Sequence, residues 1–335
     1  MNNVAVVLLN YNGLGLLKKF LPNAIRFSPN ALITVIDNGS DDDSVNWIKL
    51  NHPEVKCIEL HKNFGYAGGY NEGLKQVKSN FYALVNTDIE LTEGWLDPLL
   101  NRLDTNPKTA VVQPHILDYN NKTHFEYAGA AGGYLDSFGI PFCRGRILKH
   151  IEEDLGQYNE TERIFWASGA CFLIRNELFW KLGGFDASFF AHQEEIDLCW
   201  RLFNEGYEIE SVGSSKVFHI GAATLPPSAR KIFLNHRNSL LMCAKNLPKE
   251  VLYSTLFKKL CLDGLIGISY FFNLNFKATW AIIRAHFSFY KRFNYSILTK
   301  VKTIKNPKYF RRKSILVDYF IFRRLKFSDL NKNYK

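Results

Sequence analysis

Four times within the first ~90 residues, an apolar run of strand length gives way to a pattern of helical spacing. Residues 4–9 contain no polar side chain, as expected of a strand covered on both faces. Leu16, Leu17, Phe20 and Leu21 then recur at helical intervals, and residues 32–36 form the next run. Val45 and Ile48 mark a second helix, residues 55–60 a third strand, Leu74 and Val77 a third helix, and residues 81–85 a fourth strand. This alternation predicts βαβ units and an α/β fold of Rossmann-like type, with a mainly parallel central sheet flanked by helices. In such a sheet, ligands bind beyond the carboxyl ends of the strands. Asp37 and Asp88 both stand at strand ends and are expected to converge on one crevice.

Further on, a helix is expected over residues 95–103 and a strand over 110–113. Residues 118–163, rich in Gly, Asn and Tyr, read as a long loop of functional or mobile character. A strand at 169–175 and a helix from Asn176 restore regularity. Pro226-Pro227 marks a boundary, which divides the chain into a domain at 1–224 and a helical, aromatic extension at 225–335. The extension carries the stripes Leu252/Leu256/Leu260 and Trp280/Ile283/Phe287/Tyr290. Charge divides at the same place. Residues 1–224 hold 19 basic and 28 acidic side chains, a net −9, while residues 225–335 hold 23 and 4, a net +19. That asymmetry points the extension toward a polyanion. Its basic, aromatic, weakly amphipathic helices fit an anionic membrane surface, against the plainer reading of a solvated basic cap. No nucleic-acid-binding motif accompanies the charge.

Cysteines 57, 143, 171, 199, 243 and 261 have no metal-type spacing and suit a reducing compartment. Met1-Asn2-Asn3-Val4 leads straight into a strand without signal-peptide character. The longest apolar stretch, residues 260–276, contains Asp263 and is broken by Asn273 and Asn275, so no membrane span is expected.

Several residues carry chemistry. Asp88, ending Asn86-Thr87-Asp88, can bridge Mn²⁺ or Mg²⁺ to a diphosphate, although an Asp in that place also caps helices. Asp37, in Asp37-Asn38-Gly39-Ser40, can accept hydrogen bonds from a ribose or base, or simply form a turn. Gly65, Gly68 and Gly69 allow backbone N–H groups near a phosphate, but spell neither a dinucleotide fingerprint nor a P-loop. Glu194, Glu195 and Asp197 crowd three carboxylates beside apolar residues, which favours raised pKa values and a general base. Arg201, two helical turns after Glu194, can hold a carboxylate or bind phosphate. His219 closes another apolar run and is a candidate cation ligand or a core histidine. His192-Gln193-Glu194-Glu195 lacks the zinc-peptidase pattern.

As an ordered set these segments resemble the inverting family 2 glycosyltransferases of GT-A fold, particularly the bacterial rhamnosyltransferase-like branch that builds surface polysaccharides. The resemblance covers about residues 4–224, from Asn10-Tyr11-Asn12 through Asn63, Gly65, Gly68 and Asn71 to Phe189, Arg201 and His219. It implies donor contacts from Asn10, Asn12, Asp37, Asn63, Gly65, Gly68, Asn71, Asn86, Asp88 and Arg201. It implies Mn²⁺ or Mg²⁺ held by Asp88, with His219 able to complete the site. The catalytic set would be Glu195, Glu194 and Asp197. Asn86 replaces the first acid of the family's D-x-D motif, and Glu195 replaces the commoner Asp, so both Glu194 and Glu195 stand as candidates for the base. The donor implied is a dTDP- or UDP-sugar, and the acceptor a glycan, lipid-linked in an enzyme of the inner face of the cell membrane. An inactive homologue serving as a binding or assembly subunit is the alternative. A sugar-nucleotide pyrophosphorylase would carry a Gly-rich, Arg-containing loop where Asn10-Tyr11-Asn12-Gly13 stands.

Overall fold

A computed structural model describes residues 4–221, 228–298 and 308–331. Met1, Asn2, Asn3 and the Pro226-Pro227 break lie outside these. Three βα units open the chain: β1 (Val4–Asn10), α1 (Leu14–Phe27), β2 (Leu32–Asp37), α2 (Ser44–Asn51), β3 (Lys56–Glu59) and α3 (Gly65–Leu74). After them come β4 (Phe81–Asn86), β5 (Ile89–Leu91), α4 (Asp97–Thr105) and β6 (Thr109–Asp118). Strands β1 to β4 lie side by side and parallel in the order β3-β2-β1-β4. Their registers set Asn10 opposite Asp37 and Leu9 opposite Asn86, so the carboxyl ends finish level along one edge. The apolar run of β1 serves two cores, as its length without polar residues requires. Ala5 and Val7 point to one, and Val4, Val6 and Leu8 to the other, where Leu17 and Leu21 of α1 and Leu99 of α4 cover them.

The loop expected at 118–163 is in large part a second sheet. Antiparallel strands β7 (Gly133–Leu135), β8 (Pro141–Cys143), β9 (Arg146–Ile147) and β10 (His150–Ile151) form it, followed by β11 (Glu162–Ile164). Strands of two or three residues are too short to show a period of two, which is why the sequence pattern hides them. Phe142, Cys143 and Ile147 are fully buried there.

The central sheet is completed by β12 (Cys171–Arg175), antiparallel between β4 and β6, and by β13 (Glu208–His219), parallel to β6. Between these strands lie α5 (Asn176–Lys181) and α6 (Glu194–Asn204). The remaining helices are α7 (Ala229–Asn246), α8 (Lys249–Phe272), α9 (Phe276–Leu298) and α10 (Ile315–Phe320).

The break in charge near residue 224 is not a break in packing. Leu240, Leu241 and Cys243 of α7 join the same core as β1 and α6, and so do Ile315, Tyr319 and Phe327. Tyr309 stacks on Trp200 with ring centroids 5.1 Å apart, and the Phe327 N–H donates to Glu152 Oε1. The C-terminal part therefore completes the fold rather than appending to it. Among the described residues, no helix is long and apolar enough to cross a membrane.

Gly133 tests the second sheet. A Cβ there would lie 1.9 Å from Cε2 of buried Trp166. Gly133→Ala is expected to destabilise the protein by about 1–3 kcal/mol through overpacking, measured by urea unfolding.

Candidate active site

Two groups of residues meet at the level edge of the sheet. The first is built around Asp88, in the turn between β4 and β5. β5 pairs with β13 in a register that sets Ile89 opposite His219, and Ile220 N–H donates to the Asp88 carbonyl. His219 Nε2 consequently lies 3.1 Å from Asp88 Oδ1, with both residues buried. On the other side of the ring, Nδ1 lies 3.5 Å from Glu126 Oε2. Burial opposes a charged imidazole, but the two carboxylates prevail and push the His219 pKa up to about 10. Asp88 Oδ2 is buried without a partner. Glu126 escaped the sequence reading because it sits alone in the stretch taken for loop. A histidine whose second nitrogen faces a carboxylate is the arrangement that orients metal-ligating imidazoles.

These residues fit a small divalent cation. An N/O pair and an unpartnered carboxylate oxygen converge, and a bound cation would take the place of the proton that the two carboxylates hold on the imidazole. Mg²⁺ or Mn²⁺ takes few protein ligands when substrate phosphates supply the rest. The site is sparse. Among the described residues, no three His, Cys, Asp or Glu side chains are grouped to hold a metal by themselves.

The second group lies at the start of α6. The approach to it is strained: Phe190, His192 and Gln193 have φ of 67°, 72° and 73°. Ala191 N–H donates to the Phe189 carbonyl at 2.8 Å, closing a γ-turn of positive φ at Phe190. Such backbone costs about 1–3 kcal/mol per residue and persists only where its surroundings impose it. α7 imposes it here. Buried Asn238 Nδ2 donates to the carbonyls of Phe189, Ala191 and His192, and Arg237 Nη2 donates to those of Ser188 and Phe189.

Glu194 and Glu195 emerge from this loop. Burial pushes Glu194 well above the usual carboxylate range, and the charge of Glu195 adds to the effect. Burial also raises Glu195, to about 7, against the pull of the backbone N–H groups of Glu195, Ile196 and Gln193. Glu194 is sealed, whereas Glu195 is partly exposed. The two groups are linked through β12: Asn86 N–H donates to the Ala170 carbonyl, and a Cβ on neighbouring Gly169 would lie 3.7 Å from the Glu195 carboxyl carbon.

Other expected donor contacts are already occupied. Arg201 is 2% exposed, and its guanidinium donates to Asp197 Oδ2 at 2.8 Å and to the carbonyls of Leu182 and Gly184. Asp197 also accepts from Lys245 Nζ at 3.2 Å and Asn246 Nδ2 at 2.8 Å. Neither faces the crevice. Burial would raise the Asp197 pKa, but Arg201 and Lys245 overcome it and hold the carboxyl below its ordinary value. Asn71 is bound twice to the Phe185 backbone. Gly65 and Gly68 serve close packing, since a Cβ at Gly65 would strike the Phe190 carbonyl at 2.4 Å and one at Gly68 would touch Phe64 at 3.0 Å. Asn63 Oδ1 accepts from Gly65 N–H and Asn38 Nδ2. Asp37 accepts from Asn10 Nδ2, Ser40 Oγ and Ser40 N–H, and so shapes the turn beside the crevice. Asn12, at φ 52°, accepts from Asp41 N–H. Asn86 is partly exposed at the crevice edge.

The mainly parallel sheet with its flanking helices has the GT-A fold, the fold of glycosyltransferases. Residues 5–183 match the family model of Glycosyl transferase family 2, and the chain belongs to that family. It is 24% identical over 259 residues to N-acetylglucosaminyl-diphospho-decaprenol L-rhamnosyltransferase of Mycobacterium tuberculosis, covering 71% of this chain and 83% of that one. It is 27% identical over 247 residues to N-acetylgalactosaminyltransferase 6 of Drosophila melanogaster, where it spans only 37% of the relative's length and the match covers 70% of this chain. Among solved structures, the mannosyltransferase PcManGT of Pyrobaculum calidifontis, in complex with GDP-Man and Mn²⁺, superposes with a TM-score of 0.53 at 13% identity, covering 86% of this chain and 87% of that one. GalNAc-T7 with UDP, GalNAc and Mn²⁺ gives a TM-score of 0.57 at 18% identity, covering 73% and 48% respectively.

Asp197→Ala is expected to cost about 3–5 kcal/mol, because it leaves Arg201 and Lys245 buried without their shared anion. The Asp197 pKa is lowered by folding, so its contribution is present above the ordinary Asp value and fades as pH falls through the folded one. Denaturant midpoints measured from neutral to acid pH should show a shallower acid loss in Asp197→Asn than in the wild type.

Proposed function

We propose that the chain is a metal-dependent, inverting glycosyltransferase. It moves a sugar from a dTDP- or UDP-linked donor to a hydroxyl of a lipid-linked glycan in surface polysaccharide synthesis, at the inner membrane face. The observation that carries this reading is the Asp88–His219 pair set one strand away from the partly exposed, raised-pKa Glu195. Mycobacterial and archaeal relatives named for lipid-linked and glycan-building reactions support it.

Asp88 and His219 would hold the cation, with Glu126 fixing the imidazole. When bound, the cation supplies charge stabilisation for the departing diphosphate. Asp37, with Asn10 and Ser40 holding its carboxylate, would accept a hydrogen bond from the nucleotide's base or ribose. Asn86 would face the donor diphosphate from the end of β4. Glu195, rather than sealed Glu194, would take the proton of the acceptor hydroxyl as its oxygen bonds to the anomeric carbon. The bond from that carbon to the diphosphate oxygen breaks on the opposite face, which inverts the configuration. Glu194 stays protonated beside Glu195 and so leaves the base as the ionised member.

Two tests follow from this assignment. Glu195→Gln should lower kcat by about 10²–10⁴-fold with the donor still bound, as expected for loss of a general base. Because the base acts ionised, the wild-type rate should climb through a limb near pH 7, and that limb should vanish in the variant. Asp88→Ala should abolish Mn²⁺-dependent donor binding in titration calorimetry. Glu126→Gln should weaken it by about 10–100-fold, as loss of an imidazole-orienting partner does. Donor binding indifferent to EDTA and to Asp88→Ala would refute the metal assignment.

A further inference from the structure

A second concavity, of about 700 Å³, opens between the 187–190 segment, the start of α7 and the middle of α9. Arg230 and Arg237 of α7 and Lys277, Arg284 and Arg292 of α9 all line it, and no carboxylate does. Among the described residues, none of the five forms an ion pair with Asp or Glu. Asp186, whose charge reaches Arg237, is already held by Lys245 Nζ at 3.0 Å and by Ser188 N–H. Burial, and then the nearby Arg292, push the Arg237 pKa down to about 10 against the pull of Asp186. Arg237 is engaged by the carbonyls of Ser188 and Phe189, but that clamp gives the fold no reason to gather Arg230, Lys277, Arg284 and Arg292 around it, where like charges repel. An anion with several oxygens repays the arrangement.

The walls between the cations are aromatic. Arg230 lies over Phe190 at 4.6 Å, and Arg237 and Arg284 lie over Phe233 at 5.2 and 5.5 Å. At the rim, Trp280 is 59% exposed and begins an apolar stripe along α9 through Ile283, Phe287 and Tyr290. Exposed Phe271, Phe272, Leu274 and Phe276 extend apolar surface around the α8–α9 turn. A cationic cup thus opens onto a bare hydrophobic track. The chemistry that satisfies both is a phosphate or diphosphate joined to a long apolar chain.

We propose that this cavity binds the diphosphate of the lipid-linked acceptor, with the lipid lying along the α9 stripe. The proposal rests on the transferase reading above and adds where the acceptor sits. The same loop joins the two places. Phe190 lines the cavity and packs on Gly65, Arg237 and Asn238 hold the carbonyls of Ser188, Phe189, Ala191 and His192, and Glu195 follows five residues after Phe190. A sugar attached to a diphosphate in the cup would carry its free hydroxyl one ring further on, toward Glu195.

The test is titration calorimetry of the full chain in EDTA, which removes any metal-held diphosphate, with farnesyl diphosphate, farnesol and inorganic diphosphate as probes. Farnesyl diphosphate should bind more tightly than either fragment. Arg230→Ala/Arg284→Ala should weaken it tenfold or more, as expected for loss of charge-assisted bonds. Lys277→Ala/Arg292→Ala provides a second pair should the first fail to keep the wild-type melting temperature. Equal affinity in wild type and in a folded double variant would overturn the proposal, as would farnesol binding as tightly as farnesyl diphosphate. Displacement of farnesyl diphosphate by phosphatidylglycerol vesicles at matched accessible lipid would assign the cup to a bilayer headgroup and overturn the acceptor assignment. A separate titration of wild type with sugar nucleotides and Mn²⁺ keeps the two readings apart. Its failure, with farnesyl diphosphate still bound, would remove the transferase reading and leave the cup's ligand class standing.

Discussion

Asp197 is the point on which the catalytic half of the molecule hangs. Its carboxylate is wholly buried and gathers Arg201 from its own helix with Lys245 and Asn246 from α7. A buried charge so paired adds little net stability, but it is intolerant of rearrangement, since removing one member strands the others. Lys245 extends the network to Asp186, and Arg201 extends it to the carbonyls of Leu182 and Gly184. The turn before the strained loop, the helix after it and the helix that clamps it are therefore tied to one anion. Glu194 and Glu195 are placed by that network rather than by the sheet.

The sheet sets the other half of the site through register. Asn10, Asp37 and Asn86 end level because β1, β2 and β4 are parallel neighbours. His219 reaches Asp88 only because β13 pairs with β5 across 131 positions of sequence separation. The cation-type pair and the carboxylate pair are thus positioned by different physics. One depends on backbone ladders, the other on buried charge.

That difference explains what was legible in the sequence. β1, β2 and β4 were readable because both of their faces are buried, which leaves nearly uninterrupted apolar runs, whereas the edge strand β3, with a single buried residue, showed through its place in the alternation. Asp37, Asp88 and Glu195 were readable as candidates because acids at strand ends and crowded acids are conspicuous. Arg201 was readable as the holder of a carboxylate, but not that the carboxylate is Asp197 or that the pair is buried, because helical spacing shows that two residues share a face but not whether the face is wet. The short strands of the second sheet, and Glu126 before them, leave no periodic trace. The charge step near residue 224 was real as composition and misleading as a boundary. Surface charge and core packing are set by different side chains of the same helix: Arg230 faces out while Leu240 and Leu241 face in.

The clamp on the loop at 190–193 has a consequence for how the protein comes into being. The carboxylates are encoded some forty residues ahead of Asn238, and that side chain makes the left-handed backbone before them tolerable. Synthesis runs from the N-terminus, so the sheet, the Asp88 turn and the acids all leave the ribosome before the clamp exists. Until α7 follows, the hydrogen bonds of Arg237 and Asn238 that offset the strain are missing, while the Ala67 N–H holds the Phe190 carbonyl. The sheet edge can form early, whereas the loop that carries Glu194 and Glu195 gains its full set of backbone partners only once α7 has been made.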